Sequence, residues 1–196
     1  ALSASGLLVA KMGGPPVTPY QPDGVWEATS MVSSNTRYYT QDHGESLYRR
    51  SLYTLWKRSA PPASMEIFDG PTRESCVVRR ERTDTPLQAL VVMNDPQLVE
   101  AARKLAEHTM SSRDLHARID FMTVRLLART LDGKERSVVE RSYRDFLAYY
   151  DAHQSDAAKL LAVGESPADA ALPQAELAAL TMVANQLLSL DETLNK

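Results

Sequence analysis

From residue 86 onward, apolar positions recur at helical spacing, whereas before it they are broken by proline, glycine and polar runs. Thr85-Pro86-Leu87-Gln88 opens the regular part. Thr85 is placed to cap, Pro86 suits the first helical position, and Gln88 falls where a capping box needs its return bond. The helix that begins there is predicted to bury Leu87, Leu90, Val91 and Met93. Asp95-Pro96 repeats the start signal, with Leu98, Ala101, Ala102, Leu105 and Ala106 as the apolar stripe. Asp114 to Leu131 predicts a further helix on Leu115, Ile119, Met122, Leu126 and Leu127, stopped by Asp132-Gly133. Lys134 to Tyr150 carries Val139, Tyr143, Phe146, Leu147 and Tyr150 on one face. Ser155 is expected to cap a short helix ending at Gly164, and Pro173 to Leu190, apolar over a wide arc, predicts the central helix.

The first third reads differently. Residues 1–9 read as the end of a helix, with Leu2, Leu7 and Leu8 apolar. Gly13, Gly14, Pro15, Pro16, Pro19 and Pro22 then rule out regular structure, because proline removes amide donors and fixes φ. Val25 to Met31 predicts one helical turn carrying Trp26, and residues 32–45 a polar loop. Over Leu47 to Arg58, Tyr48, Leu52 and Trp56 recur every fourth residue, which favours helix over strand. Cys76-Val77-Val78 is expected as a short strand with its thiol buried. The predicted class is mainly α: an irregular Pro/Gly-rich N-terminal third wrapped on a C-terminal helical bundle, with at most a short strand pair. One helical domain is expected over residues 1–196, loop-rich to 84 and bundled from 85, and cut from a longer chain.

Composition adds exclusions. A net charge of -3 argues against a general polyanion binder, and no apolar run approaches a membrane span. The single cysteine excludes an internal disulfide and a CxxCH haem attachment within these residues. Charge is uneven: residues 47–82 hold eight basic against four acidic side chains, and residues 151–196 two against seven. No groove-entering motif accompanies the arginines, so nucleic acid is not an expected partner.

Long stretches carry a resemblance. GGPPVTPYQPDGVWE, DHGESLYRRSLYTLWKR, FDGPTRE and RTDTPLQALVVMNDPQLVEAARKLA are similar to successive blocks of a planctomycete-type domain of unknown function, and LLAVGESPADAALPQAELAALTMVANQLLSLDET resembles its ending. That domain closes large exported proteins that often carry a c-type cytochrome domain at the other end. The resemblance implies export, a multidomain parent and a haem, if any, in a neighbouring domain. It implies no cofactor in this chain and no activity to carry over.

Candidate contact residues cluster before residue 86. Asp42, His43 and Glu45 place two acids about an imidazole, a set that titrates or ligates in some loops. Arg49, Arg50, Arg73 and Arg80, with Arg79 and Arg82, suit a carboxylate or phosphate, but the favoured reading is an internal network that ties loop carbonyls. Trp26 and Trp56, with Tyr38 and Tyr39, suit either sugar stacking or packing beneath the loop. Asp69 with Glu74 or Asp42 is the available acid/base pair for glycoside chemistry. No HExxH or other spaced zinc signature is present. The reading favoured from sequence is a non-catalytic interaction module that docks a neighbouring domain or a protein partner. A glycan- or acidic-polymer-binding or hydrolysing domain is the alternative, and support for a separately attached cytochrome a third.

Overall fold

The structure is a computed structural model that describes residues 1–72, 74–79, 81 and 83–194. It is mainly α-helical, and it divides into two units, residues 1–7 with 89–196 and residues 8–88. Among the described residues strand pairing is limited to three isolated bridges.

In the first unit, helix α9 (Gln174–Leu188) is the centre. Leu177, Leu180, Val183, Ala184, Leu187 and Leu188 are all buried, and Ala178 and Ala179 are small enough to let neighbours approach. A helix apolar on every side has to be covered on every side. Helices α5 (Pro96–Thr109), α7 (Gly133–Ala152) and α8 (Gln154–Leu161) pack on it. Helix α1 (Leu2–Ser5) packs on α5, and α6 (Leu115–Leu127) lies against α5 and α9. The last helix, α10 (Asp191–Leu194), touches α6 and α9.

Capping side chains fix where these helices begin. Asp95 accepts from the Gln97 and Leu98 amides at 2.9 and 3.4 Å. Asp114 does the same for His116 and Ala117. Asp132, expected from sequence only as part of a breaker, caps α7 in a full capping box with Glu135. Helix α8 departs from expectation: its N-cap is His153, which makes no side-chain cap bond, and Ser155 lies inside the helix instead of capping it. Helix α6 ends at Ala128, a non-glycine residue at φ +59°. Arg129 then ties neighbouring segments together. Its guanidinium holds Glu135 of α7 at 2.7 and 2.8 Å and Glu192 of α10 at 2.7 Å.

The unit of residues 8–88 is built from turns and side-chain ties. It contains α2 (Val25–Thr29), α3 (Ala63–Ile67) and two 3-10 turns, Gly44–Tyr48 and Ser51–Tyr53. The helix expected over Leu47 to Arg58 is therefore absent. Its backbone is committed elsewhere: the Val9 amide donates to the Tyr48 carbonyl at 2.9 Å, Val17 N–H to the Tyr53 carbonyl at 2.8 Å, and Leu55 N–H to the Val17 carbonyl at 2.8 Å. Leu47, Tyr48 and Arg49 are consecutively buried, and Leu52 is 76% exposed.

Two further expectations fail in this unit and its border. Cys76 is exposed and not packed, and Val77 and Val78 are exposed without strand pairing. Helix α4 (Pro86–Asn94) does form on the predicted Thr85/Gln88 capping box, with bonds of 3.0 and 3.3 Å. Its buried positions, however, are Gln88 and Val92, while Leu87, Leu90 and Met93 are exposed. A helix apolar on several sides leaves the choice of buried face to its neighbours, and periodicity alone does not encode that choice.

Candidate functional site

Proline costs the segment from Lys11 to Pro22 four amide donors and leaves its carbonyls in need of partners. Arg49 supplies them. Its Nη1 donates to the Pro15 carbonyl at 3.1 Å, and its Nη2 to Lys11 at 3.3 Å and to Gly13. The guanidinium lies 3.8 Å from the centre of the Tyr53 ring, and the Tyr53 hydroxyl accepts from the Gly13 amide at 2.8 Å. Arg49 is 9% exposed, so this fork serves the chain's own backbone. Arg50, the next residue, is exposed and reaches the Met12 sulfur at 3.5 Å.

Asp42 is used in the same internal way. Its carboxylate accepts from the Thr18 amide at 2.7 Å, and its own amide donates to the Thr18 carbonyl at 2.8 Å. His43 and Glu45 are exposed at the start of the first 3-10 turn. Trp26 is 6% exposed, with Tyr39 edge-on at 4.9 Å and the Lys57 ammonium 4.5 Å from its ring centre. Lys57 also donates to Ser30 Oγ at 2.5 Å and to the Thr36 carbonyl at 2.7 Å. The Tyr39 hydroxyl donates to Pro19 O at 2.5 Å, and burial followed by the Asp42 charge pushes its pKa up to about 12. Trp56 is half-buried, and Tyr38 is 71% exposed beside Arg37.

Asp69 closes a third group. It sits at φ +56°, a conformation that aspartate tolerates better than most residues, and its carboxylate accepts from Thr83 Oγ1 at 2.6 Å and Gln88 Nε2 at 3.5 Å. Gln88 Nε2 also donates to Ile67 O at 3.0 Å and Thr83 Oγ1 at 2.8 Å. Gly70 lets the chain pass so near Met65 O that a β-carbon would lie 2.7 Å from it. Asp69 is thus a loop tie. Arg73, Arg80 and Arg82 lie outside the described residues.

Arg49 and Asp69 therefore tie separate segments of chain, whereas Asp42 and Trp26 both lie beside Tyr39. Lys57 and Tyr53 carry no sequence signal as their partners, because their roles depend on contacts across more than twenty residues. A second polar cluster does carry a signal. Glu100 and Arg103 are charged positions within the apolar stripe of α5, and both are fully buried. Elsewhere in the helical unit, an open cleft of about 440 Å³ is lined by Ser3, Ala4, Arg125, Leu126 and Thr193, with Arg125 held on the Ala4 carbonyl at 2.9 Å. Among the described residues no group of three His, Cys, Asp or Glu side chains gathers as a metal site would, and no helix is long and apolar enough to cross a membrane.

A mainly helical chain whose proline-rich part is held by side-chain forks is what these residues define. The chain belongs to the PSD1 family of proteins of unknown function (DUF1553), whose family profile matches residues 1–143. No curated protein and no solved structure matches it.

Proposed function

We propose that this chain is a non-catalytic interaction and assembly module of an exported multidomain protein. It docks on a neighbouring domain of its parent chain, or on a protein partner, through the segment of residues 8–88, whose stretch 47–82 is basic and aromatic. The observation behind this reading is the division of labour in that segment. Its buried charged and aromatic candidates, Arg49, Asp42 and Trp26, are engaged with the chain's own backbone and side chains. The side chains it turns outward include apolar ones: Leu52, Val77 and Val78, interspersed with the exposed cations Arg50, Arg58 and Arg79. Exposed apolar groups favour a contact that removes them from water and leaves the cations at its polar rim. In this reading any haem belongs to a neighbouring domain.

Cys76, next to Val77, is a built-in reporter. Its thiol is expected to react with a maleimide freely in this chain and about tenfold more slowly in the parent protein, where the segment is covered. Equal rates in the two would contradict docking through this segment.

The alternative, glycan or acidic-polymer binding, draws on one observation: the Tyr38 ring is exposed with the Arg37 guanidinium 5.7 Å from its centre. Tyrosine fluorescence does not isolate this ring, so the test is Tyr38→Ala in a polysaccharide retention assay. Loss of retention in the variant supports the alternative, and absence of retention in wild type removes it.

A further inference from the structure

The connection between α8 and α9 crosses α5 at residues 163–167, and it is held there by ions. Glu100 and Arg103, one turn apart on α5, have fully buried side chains with 3.8 Å between them. Both point their charge at a single residue of the strap, Ser166. The Glu100 carboxylate accepts from the Ser166 amide at 2.6 Å and from its hydroxyl at 2.5 Å. Arg103 Nη2 donates to the Ser166 carbonyl and, at 3.1 Å, to its Oγ. Lys104 adds a bond to the Pro167 carbonyl at 2.9 Å, and Glu107 holds Arg103 from the other side at 2.8 Å. Gly164, at φ +88°, brings the backbone onto the clasp, where a β-carbon would lie 2.6 Å from Glu100 Oε2.

None of residues 162–174 is buried, although Leu161 before them and Ala175 after them are. Full burial therefore ends where the strap begins and resumes where it stops, with Val163 and Leu172 half-buried between. A buried ion pair contributes little net stability when complete, because its Coulombic gain offsets desolvation. Half-made, it leaves a buried charge without a partner and is strongly unfavourable. Closed with the Ser166 bonds made and only the Arg103 Nε left without a partner, or open with both charges hydrated, are the two arrangements that limit this penalty.

We propose that residues 163–167 form a two-state latch over Glu100 and Arg103, which opens as a unit while α5 and α9 stay folded. Opening uncovers a carboxylate and a guanidinium side by side on α5. This goes beyond the docking proposal and depends on no part of residues 8–88.

Native-state amide exchange, followed by mass spectrometry across a range of sub-denaturing urea, tests it on the whole chain. The Ser166 amide and its neighbours in the strap are expected to exchange by one common opening. That opening should be nearly independent of urea and about a hundredfold or more faster than exchange in α9. Ser166→Ala, which removes the hydroxyl and leaves the backbone, is expected to speed strap exchange about tenfold further with α9 unchanged. The latch is overturned if strap and α9 exchange together with the same urea dependence, or if Ser166→Ala accelerates both equally. The wild-type comparison decides the matter even where the variant does not fold.

Discussion

Ala128 shows how a single residue can carry strain so that its neighbour is correctly placed. Its φ of +59° ends α6 and turns the chain so that Arg129 reaches Glu135 and Glu192. An L-residue with a β-carbon is disfavoured there, and glycine is not. Ala128→Gly is therefore expected to raise stability by about 0.5–1 kcal/mol in urea unfolding, since relief of the strain outweighs the added freedom of the unfolded chain. Glu135 supplies a second test at this scale. The Arg129 hydrogen bonds, with the Asp132 amide second, hold its carboxyl down to about 2 from an ordinary 4.5. A folded-state value below the unfolded one means the contribution is complete above about pH 4.5 and is lost as pH falls toward 2. The difference in melting temperature between wild type and Glu135→Gln should then shrink as pH drops from 6 to 2. A gap that stays constant would remove the pair from the stability of this corner.

At the scale of elements, the helices after residue 86 are legible because their starts are written in consecutive residues. Thr85/Gln88 and Asp95 cap as their sequence implies. Replacing Asp95 by alanine is expected to cost about 1 kcal/mol, with the loss of amide protection concentrated in the first turn of α5. Protection unchanged through Gln97 and Leu98 would argue that neighbouring packing, not the cap, fixes this helix start. The segment from Leu47 to Arg58 defeats a local reading for the opposite reason. Its fourfold recurrence of Tyr48, Leu52 and Trp56 is real, but the bonds that decide its backbone come from Val9 and Val17. A proline-rich neighbour short of donors recruits whatever chain can pair with it, and that long-range recruitment overrides local propensity. The buried face of α4 and the exposure of Cys76 escape the sequence in the same way, since each depends on what lies opposite. The candidate site is legible in residue type and not in use. Asp42, Arg49 and Trp26 stand out in the sequence by residue type, and only their partners reveal that they hold the chain itself.

The whole molecule combines two ways of holding a chain. Residues 1–7 and 89–196 are held by apolar helix faces around α9, with a few ionic ties such as Arg129 and the Glu100–Arg103 clasp added to them. Residues 8–88 have little regular structure, and their organisation rests on forks and cations set against carbonyls and rings: Arg49 on residues 11–15, Lys57 on Trp26, Ser30 and Thr36, and Gln88 on residues 67–85. Membership of the PSD1 family gives the chain relatives without giving it an activity, so the proposed function rests on the side chains this second unit turns outward. Side-chain ties, Arg49 first among them, hold that unit in the shape that presents them. Both tryptophans, Trp26 and Trp56, lie within it, so fluorescence-detected urea unfolding reports on it selectively. Arg49→Lys keeps the charge but loses the planar fork, and a loss of at least about 2 kcal/mol is expected in that transition. A variant whose transition stays within about 0.5 kcal/mol of wild type would show that the proline-rich segment is held by something else.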